Sequence, residues 1–309
     1  MEYESINFKA LGTNIEIKIL GKQTNSHLLA CKNLVVNYHN MIMDFYKDQK
    51  ALQDFNKVYR FKLSVHPEIF YMIDQAKKIN HIDRNKLNIL LGPLIDLWDF
   101  NSGKKLIPKK EEIQDLLPLT NPKNFSMDYH KKILLFTTKG MRIDLGALAK
   151  GYIADKLLDF LKRKKIPSAL INLGGNIYCH GFNLERPDLY WHIGIQAPFK
   201  KRGQRLFKLK ANDLSFVTSG IYERYFKIED KIFHHILDPM TGYPIKSSMQ
   251  SLTIISKSSL DAEIYSTGLF GMDFKLIQEE AKKNNFIAIA IYQEKTIKTS
   301  KDLSNYIVG

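Results

Sequence analysis

Asp144-Leu145-Gly146-Ala147-Leu148-Ala149-Lys150-Gly151-Tyr152 reads as a strand ending in a carboxylate, a turn of small residues and the opening of a helix. The helix carries Ala149, Ile153, Leu157, Phe160 and Leu161 on one apolar face. Just upstream, 133–137 and 141–143 read as a hairpin around Lys139-Gly140. Downstream, strands are expected at 168–172, 190–195, 214–218 and 232–236, then helices at about 261–271 and 274–284 and a strand at 286–292. Nearer the start, 6–20 alternates through Ile15, Ile17 and Ile19 as a half-buried strand. Leu28, Cys31, Val35, Tyr38 and Ile42 then fall at helical spacing, and a second helix is expected from near Ser64, with Pro67 in its first turn. Strands and helices mix without regular alternation, so the expected fold class is α+β and not a doubly wound parallel sheet.

Composition narrows the function. The chain has 309 residues, 44% of them hydrophobic, with two Cys and two Trp, which excludes disordered, collagenous and disulfide-scaffold classes. Lys and Arg number 46 against 32 Asp and Glu, a formal charge of +14. These basic residues are spread thinly through short clusters such as Lys109-Lys110 and Lys200 to Arg202, without interleaved aromatics, so nucleic acid is not an expected partner. Cys31 and Cys179 form no Cys-x-x-Cys pair, and neither zinc nor a disulfide is indicated. Met1-Glu2-Tyr3-Glu4-Ser5 lacks the character of a signal peptide, and no apolar run approaches the roughly 18 residues of a membrane span; a cytoplasmic location is the expectation. There is no internal repeat or Pro/Ser linker, and the nearest thing to a boundary is the polar stretch 101–129.

Walker, dinucleotide-fingerprint, zinc-protease and nucleophile-elbow motifs are all missing. Chemistry is sought instead in five polar segments held between apolar elements. At 144–152, backbone N–H groups of a helix start and Lys150 suit a phosphate; the alternative is an Asp N-cap beside a surface Lys. Asn172-Leu173-Gly174-Gly175-Asn176 is a strand running into a tight turn, and Thr218 to Phe226 is a polar turn before a strand. In His235-Ile236-Leu237-Asp238-Pro239-Met240-Thr241-Gly242 a His precedes good turn chemistry, where it is either a proton carrier near neutral pH or structural. Glu263 and Thr267, spaced i to i+4, put a carboxylate and a hydroxyl on one helix face, oxygen donors of the kind Mg²⁺ prefers.

In this order, and with Ala10-Leu11-Gly12-Thr13 and Gly92-Pro93-Leu94-Ile95-Asp96-Leu97-Trp98, the segments resemble the ApbE family, the FAD:protein FMN transferases, over about residues 8–272. The resemblance implies a two-lobed α+β fold with mixed or antiparallel sheets, flanking helices and flavin in a cleft between the lobes. The whole of 1–309 would then be one unit of intertwined lobes, with a possible lobe boundary near 101–129. It implies transfer of the FMN half of FAD to a Thr or Ser hydroxyl of a target flavoprotein, with Mg²⁺ assisting and AMP leaving. Metal ligands would be the Ala147 carbonyl with Glu263 and Thr267. Leu11, Tyr46, Leu87, Asn88, Asp144, Lys150 and His235 would lie against FAD, with His235 the candidate base.

This chain departs from the family pattern at several of these places. Glu263 stands where Asp is usual, Asn88 and Asn176 where Asp is usual, Lys50-Ala51-Leu52 where Ser-Glu-Leu follows the Tyr, and Leu11 where Met is usual. Alternatives to transfer are an FAD-binding protein of little transferase activity and a metal-dependent FAD pyrophosphatase giving FMN and AMP.

Overall fold

The computed structural model describes residues 2–21, 24–55, 60–294 and 296–308. The chain opens with a hairpin, β1 (Tyr3–Ala10) and β2 (Thr13–Leu20), followed by a long helix α1 (Asn25–Phe55). Next come β3 (Phe61–Ser64), α2 (Pro67–Gln75), α3 (Gly92–Trp98), α4 (Lys110–Leu116), β4 (Phe125–Asp128) and β5 (Ile133–Phe136). Helix α5 (Ala149–Arg163) leads to β6 (Ala169–Leu173), β7 (Asn176–His180), β8 (Trp191–Gln196), β9 (Arg205–Ala211) and β10 (Leu214–Gly220). The remainder is β11 (Tyr225–Ile228), β12 (Lys231–His234), β13 (Met249–Ser256), α6 (Ser259–Gly268), α7 (Phe274–Lys283), β14 (Ile287–Tyr292), β15 (Ile297–Thr299) and β16 (Ile307–Val308).

Eight strands form the main sheet in the order β1-β2-β6-β7-β10-β13-β14-β15. Every pairing in it is antiparallel, as an α+β chain without regular βαβ alternation requires. Both faces are covered, and the period of two sorts the side chains between them. Val217, Leu252, Ile254, Ala288 and Ala290 face the main core with α1, α5 and α6. Their neighbours Phe216, Ile255, Ile289 and Ile291 face a second core, closed by Trp191, Ile193 and Leu209 of the three-stranded sheet β16-β9-β8. A third cluster gathers Leu91, Leu94, Trp98, Ile113, Phe226 and Leu237. Among the described residues no helix is long and apolar enough to cross a membrane.

Three local expectations need correction. The alternation over 6–20 belongs to two strands, because Leu11 and Gly12 take φ of +54° and +70° and turn the chain in two residues. Since the turn is even, Phe8 still faces Ile15 and the apolar parity is undisturbed. Helix α2 begins at Pro67, after His66 caps it by accepting from the Glu68 N–H, while Ser64 ends β3. Residues 141–143 do not pair with β5, whose partners are β3 and β4. The buried Gln49 takes their place: its amide accepts from Ile143 N at 2.7 Å and donates to the Ile143 carbonyl at 3.2 Å, so a side chain satisfies the backbone a strand would have paired.

Candidate functional site

Two tight turns meet at one end of the main sheet. Gly174 and Gly175, at φ of +68° and +103°, join β6 to β7, and a side chain on Gly174 would collide with Thr13 beside the Leu11-Gly12 turn. Leu11 is a non-glycine residue in the left-handed region, a conformation that costs on the order of 1 kcal/mol or more and must be held by its surroundings; it packs against the main core. The end of β10 reaches the same rim, where Ser219 Oγ donates to Ser266 Oγ at 3.1 Å and lies 3.3 Å from Thr267 Oγ1.

Above this rim α5 and α6 approach closely. A Cβ on Gly151 would lie 2.5 Å from the Ser259 carbonyl oxygen and 2.8 Å from Leu260 Cα, so only glycine allows this contact. The approach puts Lys150 Nζ 3.3 Å from Glu263 Oε1, while the same ammonium donates to the Gly146 carbonyl at 3.3 Å. Glu263 is buried. Its Oε1 also accepts from Asn176 Nδ2 at 3.0 Å, and Ser259 Oγ fixes that amide by donating to Asn176 Oδ1 at 2.8 Å. The amide at 176 therefore has a positive role: a carboxylate there would face the Glu263 carboxylate without a proton between them.

Asp144 is not a helix N-cap. Its Oδ1 accepts from Gly146 N at 2.8 Å and closes a local turn, and α5 starts later, after an uncapped Leu148. Tyr46 fixes the following residue, its hydroxyl accepting from Leu145 N at 2.9 Å. Burial pushes the Tyr46 phenol far above the ordinary tyrosine range, and the Asp144 carboxylate pushes it further. Asp144 N donates to the Ile89 carbonyl at 2.8 Å, which brings in the Leu87-Asn88 turn. Asn88 uses both ends of its amide, accepting from Leu90 N at 2.9 Å and donating to the Thr120 carbonyl at 2.8 Å, and a carboxylate could not make the second bond. Leu87 is buried against the C-terminal end of α6 at Gly268.

His235 packs with both its backbone N–H and its Nδ1 directed at the Arg224 carbonyl, at 3.1 and 3.2 Å. A carbonyl only accepts, so Nδ1 carries the proton and Nε2 keeps its lone pair. Burial, followed by the Arg224 charge, lowers the ring's pKa to about 3, with Lys150 adding to the effect, so the ring is neutral at physiological pH. The adjacent His234 has the opposite arrangement: Nε2 donates to the Ile245 carbonyl at 3.1 Å and Nδ1 accepts from Ile236 N at 3.3 Å. Burial lowers its pKa to about 4.

Several residues that hold these parts carry no signal in the sequence. Besides Gln49, Asp155 accepts from Ser258 Oγ, Ser259 N and Leu260 N at 2.9, 2.7 and 3.0 Å, fixing the start of α6. Lys86 Nζ pairs with Asp238 Oδ2 at 2.9 Å, and Lys86 N donates to the Gly268 carbonyl at 2.8 Å, so one residue ties the 87–90 loop to both the Asp238-Pro239 turn and α6. Asp155 and Gln49 sit at polar positions of helices, where spacing gives no sign of a long-range partner.

A hard divalent cation takes oxygen donors, usually with phosphate and water among them. Among the described residues no backbone N–H is directed at the Ala147 carbonyl, in keeping with α5 beginning two residues later. That carbonyl, the buried Glu263 carboxylate and the Thr267 hydroxyl are all oxygen donors of the kind such an ion takes. Among the described residues no three His, Cys, Asp or Glu side chains gather as a ready-made metal cage, so oxygens of water or of a ligand would have to complete the shell. Two open surface depressions, of about 470 and 390 Å³, are lined by other residues, among them Lys275 and Lys298 in one and Phe207 and Leu303 in the other.

Residues 11–291 match the ApbE family. The chain belongs to the ApbE family. A relative from Klebsiella pneumoniae, named FAD:protein FMN transferase, is 35% identical over 77% of this chain and 73% of its own length. One of the same name from Buchnera aphidicola is 28% identical over 93% of this chain and 85% of its own. Among solved structures, the ApbE protein of Thermotoga maritima superposes with a TM-score of 0.84 at 24% identity over the whole of both chains, and the flavin transferase ApbE of Vibrio cholerae with 0.80 at 24% over 96% of each. At that identity the superpositions establish the ApbE fold.

Proposed function

We propose that this chain is a flavin transferase that moves the FMN half of FAD to a Thr or Ser hydroxyl of a target flavoprotein, with AMP as the leaving group. The observation that carries the reading is the pairing of the buried Glu263 carboxylate with the Lys150 ammonium at 3.3 Å, which also reaches the Gly146 carbonyl of the 144–150 turn. The family membership and the names of the relatives support it.

In this reading Leu11 and Tyr46 border the flavin, and the 144–150 turn and Asn88 border the phosphates. Lys150 supplies a point charge to the pyrophosphate. His235 Nε2 accepts the proton of the target hydroxyl as its oxygen bonds to the FMN phosphorus and the bond to AMP breaks. Mg²⁺ held by the Ala147 carbonyl, Glu263 and Thr267 would neutralise charge on the pyrophosphate. Residues 1–309 would act as one unit of intertwined lobes meeting near 101–129.

The test is to incubate the purified protein with FAD, Mg²⁺ and a candidate acceptor and to weigh the acceptor by mass spectrometry. The expected result is an acceptor heavier by one FMN, with AMP released. An acceptor labelled by another ApbE enzyme but left unlabelled here would refute transfer; free FMN and AMP without acceptor would instead identify a pyrophosphatase.

A further inference from the structure

We propose that Lys150 is an exchangeable counter-ion of Glu263: its ammonium leaves the carboxylate when a divalent cation binds there, and only then becomes available to phosphate. The inference rests on the metal role given to Glu263 above. Its basis is a difference in freedom between the two partners. The Glu263 side chain is 6% exposed and fixed, while the Lys150 side chain is 27% exposed on a flexible stem. The ammonium lies at 3.3 Å from both Glu263 Oε1 and the Gly146 carbonyl, bridging a carboxylate and a carbonyl as a bound cation does. When it moves away, Oε1 is not stranded, because Asn176 Nδ2 still donates to it at 3.0 Å under the control of Ser259. A monovalent and a divalent cation against one carboxylate repel each other unless an anion joins them. Before nucleotide binds, therefore, Lys150 competes with the metal; once a pyrophosphate is present, the two cations share it.

The test uses Mn²⁺ as the probe and needs no turnover. Mn²⁺ is titrated into the full chain without FAD, by electron paramagnetic resonance or calorimetry, for the unaltered protein, Lys150→Met and Glu263→Gln. Lys150→Met is expected to bind Mn²⁺ on the order of tenfold more tightly, since it keeps the stem and loses the competing charge, and Glu263→Gln to lose binding. Should the methionine variant not fold, Lys150→Gln, which retains a donor for the Gly146 carbonyl, carries the same expectation. Equal or weaker Mn²⁺ binding in the lysine variants overturns the exchange and leaves the metal role of Glu263 standing. No Mn²⁺ binding by any form overturns both.

Discussion

At the scale of single residues, the unusual choices in this chain have local causes. Asn88 must donate to the Thr120 carbonyl, and Asn176 must donate to Glu263, tasks that a carboxylate cannot perform. Asn88→Asp is accordingly expected to lose about 1–3 kcal/mol of stability, read by chemical denaturation, rather than to improve the site. His235→Asn keeps a donor toward Arg224 but has no lone pair in place of Nε2. Steady-state flavin transfer is expected to fall by about 10²–10⁴-fold, with a much smaller change in FAD affinity by calorimetry. Because the His235 pKa is lowered to about 3, the pH–rate profile should show no loss of activity near 6.5, where an ordinary His titrates. As candidates, Asp144, Lys150, His235, Glu263 and Thr267 are legible in polar segments between apolar elements, whereas Leu11, Tyr46, Leu87, Asn88 and the Ala147 carbonyl follow only from the family resemblance. Which nitrogen of His235 is free is not legible, because it depends on the Arg224 carbonyl eleven residues away in sequence.

At the scale of elements, strong periodicity places α1, α5, α7 and β14 well and finds α2, though with its start three residues early. It fails where a side chain or a turn replaces regular pairing, as Gln49 does at Ile143 and Leu11-Gly12 does within the first hairpin. Strands β7 and β9 are also not legible in the sequence; β9 alternates Leu206, Lys208 and Lys210 on its outer side with Phe207 and Leu209 inward, and its lysines look like loop charge. Substituting Leu11 by Asn, which tolerates the left-handed region, relieves about 1 kcal/mol of strain but gives up comparable packing against the core, so thermal unfolding is expected to change little while FAD binding weakens. Gly151→Ala has no such offset. The added methyl meets the backbone of α6 and should cost about 1–3 kcal/mol, with loss of the Lys150 to Glu263 pairing, visible as a lowered Tm.

For the molecule as a whole, the net charge of +14 says less than the few charges that are confined. His234 and His235 have folded pKa values lowered to about 4 and about 3, so the unfolded chain binds more protons than the folded one below the ordinary His value. Their contribution to stability is complete above about pH 6.5 and is lost as pH falls toward 3. Asp155 acts oppositely: burial raises its pKa to about 6, and folding weakens as pH rises from 3.8 to that value. Denaturation midpoints measured from pH 4 to 8 should therefore rise with pH in the unaltered protein, and rise more steeply once Asp155 is replaced by Asn. The opposite tautomers of the two histidines have a further use. Nitrogen-15 resonances of the two rings should form mirror-image pairs, one ring protonated at Nδ1 and its neighbour at Nε2. A ligand that engages His235 Nε2 would move one resonance of one ring and leave the other ring as an internal reference, so the fold supplies its own spectroscopic label for occupancy of the site.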